Sequence, residues 1–178
     1  MDLSKISKGG MVFIGGALVF AIASFLDWFT LSGLPGYVGS VGGNGFDVGF
    51  LWCTLWFVLF LGGAIILALP AFGVAAPKIP PVAFLAVGAL GALFVILKLL
   101  IGEEFFDRSA GIYIAVIAAL AVTAGGFLKF QESGGTINDL KDVNKLKASF
   151  NQGGGGTPPP PPPPAGMTPP PPPPPPAG

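Results

Sequence analysis

An all-α membrane protein is predicted: a bundle of four transmembrane helices followed by a disordered, proline-rich C-terminal tail. Three observations point there. Of 178 residues, 52% are hydrophobic and only 10% charged, whereas a soluble domain carries about a quarter charged residues. The mean hydropathy is +0.74. Four apolar runs of roughly the 20 residues that a bilayer requires follow one another along the chain. Strands are a poor alternative, because no run alternates in the manner of a transmembrane barrel.

Residues 1–10 form a short N-terminal segment carrying Lys5 and Lys8. The first span covers 11–31. Its positive flank and the small-residue triplet Ala21-Ile22-Ala23 resemble a cleaved signal, but the apolar run continues through Phe25 and Leu26, so a retained helix is expected. The second span, 48–69, stops at Pro70, and the third, 81–101, opens on Pro81, where no backbone donor is needed. The fourth covers 111–130, and the transmembrane domain as a whole 11–131. All four are apolar around the full circumference, which suits lipid contact. Small residues at four-residue spacing, Gly88 and Ala92, Ala64 and Ala68, and Ala115, Ala119 and Thr123, allow close helix packing and equally a homo-oligomer.

Lysine placement sets the orientation, since basic residues resist translocation. Lys5, Lys8, Lys78, Lys129, Lys141, Lys145 and Lys147 flank one set of helix ends, while segment 32–47 has no basic residue. Both termini and the 70–80 connection are therefore expected in the cytoplasm of a multi-pass plasma-membrane protein. Trp28, Tyr37, Trp52, Trp56 and Tyr113 cluster on the other side, and amphipathic rings favour the interface. With the glycine-dense segment 32–49 and Asp47, these rings are expected to build a structured outer cap of Trp28, Tyr37, Asp47, Trp52 and Trp56. Asp27 and Lys98 lie at similar depth near that interface and are expected to form an ion pair that fixes the cap, Lys98 snorkelling toward the headgroups. Glu103, Glu104 and Asp107 read as a solvated polar loop beside Arg108.

Beyond the fourth span, 132–150 is a juxtamembrane amphipathic segment. Thr136 and Asp139 have helix-start spacing, and Ile137, Leu140, Val143, Leu146 and Phe150 line one stripe. It reads either as an interfacial helix on anionic headgroups or as a partly helical linker. Residues 151–178 hold two proline blocks, Pro158–Pro164 and Pro169–Pro176. They predict stiff polyproline II rods, which serve as a spacer or as a docking site for a cytoplasmic polyproline-binding protein.

No histidine is present, which removes the commonest general base and metal ligand. Cys53, the single cysteine, excludes an internal disulfide. No nucleophile–base pair, metal cluster or phosphate loop is legible. No catalytic, cofactor-binding or metal-ligating residue is expected, hence no enzyme and no cofactor, and with zero net charge no nucleic-acid partner. The partners expected are the lipid bilayer, a second copy of the chain and a polyproline reader. The function expected is a non-enzymatic scaffold or accessory subunit acting through its outer loop and tail. The alternative is an oligomeric channel or small-solute transporter with Asp27 and Lys98 at its mouth, although no span carries a polar residue at its midplane, where transporters place their sites.

The stretch Ser24-Phe25-Leu26-Asp27-Trp28-Phe29, followed by Asn44-Gly45-Phe46-Asp47 at the start of span two, resembles small four-span membrane proteins of actinobacteria that carry proline-rich segments. The resemblance covers residues 9–130. Members often have proline before the tryptophan, where this chain has Asp27. It implies the plasma membrane of a Gram-positive bacterium and no reaction.

Overall fold

The computed structural model describes residues 2–31, 41–142, 144 and 147. Tyr37 and the proline-rich segment 151–178 lie outside the described residues, as does most of 143–150. The described chain is mostly helical: α1 (Lys8–Ser24), α2 (Leu55–Ala68), α3 (Pro81–Ile101), α4 (Ala110–Glu132) and the short α5 (Ile137–Lys141). A π-helical turn, Phe50–Thr54, leads into α2, and a 3-10 turn, Leu69–Phe72, ends it. Three helices are long and apolar enough to cross a membrane: Phe50–Phe72, Pro81–Ile101 and Ala110–Glu132. Helix α1 is apolar and shorter, at 17 residues.

The first correction concerns the far end of span one. The helix expected through Leu31 stops at Ser24, and Asp27–Leu31 is a strand, β1. The indole N–H of Trp28 donates to the Ala23 carbonyl at 2.9 Å, closing the last turn of α1. The following Trp-Phe-Thr run then takes the extended conformation that aromatic and β-branched residues favour. Strand β1 pairs antiparallel with β2 (Val41–Asn44) on one side and with β3 (Asp107–Arg108) on the other. The described fold is therefore mostly helical rather than all-α, with a three-stranded sheet closing one end of the bundle.

Helix α4 stands between α1 and α3, and adjacent glycines make that possible. Successive helical positions point about 100° apart, so Gly125 and Gly126 face different neighbours. A Cβ at Gly125 would strike the backbone of Phe13 on α1, and one at Gly126 would lie 2.8 Å from the Phe84 carbonyl and the Leu85 nitrogen on α3. The partners reciprocate: a Cβ at Gly9 would strike the backbone of Lys129, one at Gly16 would lie 2.8 Å from the Val122 nitrogen, and one at Gly88 2.8 Å from the Thr123 Cα. Backbone-to-backbone contact of this kind is how apolar helices associate where burial from water offers no drive.

Helix α2 packs through aromatic rings instead. Phe60 of α2 meets Phe20 of α1 edge-on at 5.0 Å between centroids, and Trp56 of α2 meets Phe94 of α3 at 5.3 Å. Such pairs are each worth about 0.5–1.5 kcal/mol beyond their burial. Large aliphatics point outward instead: Leu18, Ile22, Val58, Leu90, Leu93 and Ile117 are all exposed. An exterior this apolar exceeds what a soluble monomer shows.

At the end opposite the sheet, the first turn of α1 is satisfied twice. Ser7 accepts from the Gly10 N–H at 3.1 Å, and Glu132, the last residue of α4, accepts from the Gly9 N–H at 2.9 Å. A carboxylate there also complements the helix dipole. The helix-start spacing at Thr136 is realised as a capping box with Asp139, opening α5.

Candidate functional site

The sheet-closed end gathers most of the side chains expected in the cap. Trp28 is fully buried, its ring edge-on to Phe20 at 6.4 Å. Its carbonyl accepts the Ser109 N–H at 2.9 Å, which ties the start of α4 to β1. Gly45 fits beneath it, since a Cβ there would sit 2.6 Å from the Cys53 sulfur and 2.8 Å from the Trp28 ring. Trp56 is buried and donates its indole N–H to the Leu51 carbonyl at 2.8 Å. Tryptophan buries a large ring only where its N–H finds an acceptor, and both do. Replacing Trp28 with phenylalanine keeps the ring but loses the donor to α1, with an expected loss of about 1–3 kcal/mol in a thermal melt in mild detergent.

The expected pair of Asp27 and Lys98 does not form, and this is the second correction. Lys98 bonds Glu103 instead, the only ion pair among the described residues. The cause is local. Helix α3 ends at Ile101, Gly102 turns at φ 72°, and Glu103 is brought back over the last turn of the same helix. The Lys98 ammonium also lies 3.4 Å from the Gly102 carbonyl, 5.6 Å from the Phe29 ring centre and 5.4 Å from that of Trp52. It is thus a buried cation held by one carboxylate and two ring faces. Asp27 is exposed at the start of β1, opposite Asn44, with its carboxylate over Gly42, where a Cβ would lie 2.6 Å away.

Arg108, placed by sequence in a solvated loop, crosses back to donate to the Leu99 carbonyl at 2.6 Å and the Leu100 carbonyl at 3.0 Å. A helix leaves its last carbonyls without intrahelical partners, and a cation there also complements the dipole. Spacing conceals this role, because the donor comes from β3, beyond the turn.

Asp47 accepts the Asn44 N–H at 2.9 Å and so shapes the turn after β2. With Phe29, Gly43, Val48, Glu103 and Phe106 it lines an open hollow of about 230 Å³ on the cap. Beside it, at the tip of the turn joining α3 to β3, Phe105 is 86% exposed at φ 67°. A bulky residue in that region pays backbone strain of about 1–3 kcal/mol. The hollow therefore combines two carboxylates with an apolar floor, next to a fully displayed aromatic ring. Among the described residues no group of three His, Cys, Asp or Glu side chains could hold a metal ion.

Comparison with known proteins finds no matching family model, no matching curated protein and no matching solved structure. The likeness to actinobacterial four-span proteins rests on the short sequence motifs alone.

Proposed function

We propose that the chain is a four-span plasma-membrane protein that works without chemistry of its own, as an accessory subunit or scaffold. In this reading the sheet-closed end faces outward and both termini lie in the cytoplasm. Support for four spans comes from α1, whose 17 residues cover about 26 Å at the helical rise. The bilayer core is about 30 Å thick, and Phe25 and Leu26, both exposed and apolar, extend the run toward the sheet. Support for the orientation comes from Lys5, Lys8, Lys78 and Lys129, all at the end opposite the sheet.

The observation that carries the partner-binding reading is Phe105. An aromatic ring 86% exposed in a strained conformation costs stability and contributes no packing. Aromatic residues of this kind anchor protein interfaces, and the adjoining hollow, with Asp47 on its lining and Glu103 held by Lys98, gives the contact direction. The polyproline blocks supply a second contact on the cytoplasmic side, where a reader lines its groove with aromatic rings.

The test is purification of the full chain from its native membranes in mild detergent, beside Phe105→Gly. Glycine adopts the positive φ freely, so this variant is expected to melt higher than the parent by roughly 1 kcal/mol of stability. A partner present in stoichiometric amount with the parent is expected to be lost from it. Recovery of the parent chain alone would overturn the reading. Truncation after Phe150 tests the tail: insertion is expected to survive and cytoplasmic partners to disappear.

A further inference from the structure

At the end opposite the sheet, three segments distant in sequence bring three lysines to one hollow of about 240 Å³. Lys5 comes from the turn before α1, Lys78 from the connection between α2 and α3, and Lys129 from the last turn of α4. Ser7 and Gly10, at the start of α1, also line it. No carboxylate lies within ion-pair distance of these lysines among the described residues. Glu132, which accepts from the Gly9 amide, also attracts Lys129 across a distance longer than an ion pair. Asp2 accepts from the Ser4 amide and hydroxyl, so Lys5 and Lys78 keep no paired carboxylate. Three cations with one exposed carboxylate near them still repel one another, and a bound anion relieves that cost.

The hollow does not end at the lysines. Ile66, Ile79 and Phe84 line it and also line a second hollow, an apolar groove of about 230 Å³ between α2 and α3. That groove runs along the helix flank past Val58, Gly62 and Val87. Gly62 faces open space, with nothing within 4 Å of where its Cβ would be. A cationic pocket continuous with an apolar furrow matches one chemistry: a phosphate joined to a hydrocarbon chain.

We infer that this end of the bundle holds one anionic phospholipid of the inner leaflet, its headgroup among Lys5, Lys78 and Lys129 and one acyl chain in the groove between α2 and α3. The assignment rests on the membrane-spanning reading above. Basic pockets between helices on the cytoplasmic side are suited to such headgroups. Lipid at this position ties the N-terminal turn, the α2–α3 connection and α4 together, where α2 otherwise meets α3 only loosely.

Native mass spectrometry of the full chain in mild detergent, with equal phosphatidylglycerol and phosphatidylcholine, tests the site. One phosphatidylglycerol is expected to be retained in about tenfold preference. Lys78→Gln combined with Lys129→Gln is expected to erase the preference. Gly62→Leu, which fills the furrow where space is open, is expected to reduce retention of both lipids. Millimolar inorganic phosphate is expected not to displace the lipid, and displacement would mean that the pocket takes the anion alone. Melting of each variant is followed in parallel; Lys78 is exposed, so Lys78→Gln alone gives a reading should the double variant unfold. Equal retention of both lipids by the parent chain, or a preference unchanged in the lysine variants, overturns the proposal. Insertion into phosphatidylcholine vesicles is scored separately, as resistance to alkaline carbonate. Failure there defeats the membrane reading, whereas insertion without headgroup preference defeats only this site.

Discussion

Gly125→Leu is expected to prevent the bundle from assembling. The Cβ alone would strike the Phe13 backbone on α1, so no rotamer of the new side chain avoids the clash. Helices α1 and α4 would have to separate, breaking the Gly16–Val122 approach and the Glu132–Gly9 hydrogen bond with it. Overpacking typically costs about 1–3 kcal/mol, more where backbone must move, and here the obstacle is backbone. The expected result in detergent is loss of a cooperative thermal transition and rapid trypsin cleavage in the connections. Gly15→Leu is the control, because that glycine on α1 faces open space and its variant should melt within about 1 kcal/mol of the parent. Equal melting of the two variants would show that α1 and α4 are not in backbone contact.

The second large effect is an asymmetry at the buried cation. Glu103→Gln is expected to destabilise the fold by about 2 kcal/mol or more, because it leaves the buried Lys98 ammonium with neutral partners alone, an amide oxygen, one backbone carbonyl and two ring faces. Breaking a buried pair from one side costs about 3–5 kcal/mol. The lower figure applies here because the Glu103 side chain is 41% exposed while that of Lys98 is 6% exposed. Lys98→Met removes the charge, keeps the length of the stem, and leaves Glu103 free to turn into water. Its expected cost is under about 1 kcal/mol. Thermal melts of the two single variants decide the matter. Equal losses would mean that Lys98 is solvated and the pair is a surface contact.

These two predictions rest on features of different legibility. Apolar runs of bilayer length mark the long helices directly, since their boundaries at Pro70, Pro81 and Gly102 are chemical stops. Gly88 and Thr123 are each legible as small packing residues, although their approach to one another comes from the fold. The glycines of α1 are harder to recognise: Gly9 and Gly16 lie seven apart, and their meaning depends on Gly125, more than a hundred residues away. The strand Asp27–Leu31 is hidden for a related reason, because Trp-Phe-Thr-Leu continues an apolar helix as readily as it starts a strand. What decides is the Trp28 indole finding the Ala23 carbonyl and two further strands arriving from elsewhere in the chain.

The candidate site divides in the same way. Tryptophans at the cap are legible as interfacial residues, but their hydrogen-bond acceptors are not. Lys98 is legible as a cation needing a partner, and depth alone points to Asp27. The partner actually used lies five residues along, past a glycine turn, where loop geometry and not helical spacing decides. Phe105 gives no signal at all in the sequence: only its backbone conformation and exposure set it apart from the other phenylalanines.

Accessibility of single introduced cysteines tests the central claim most directly. Cys53 is fully buried and stays in place as a silent thiol. Phe105→Cys on the cap and Val74→Cys in the connection between α2 and α3 are each expressed as full chains. Intact cells are then treated with a membrane-impermeant maleimide before and after permeabilisation. A bundle with its sheet outside and its lysine-rich end in the cytoplasm predicts labelling at 105 in intact cells, and at 74 only after permeabilisation. Labelling at both positions in intact cells, or at 74 alone, would contradict it.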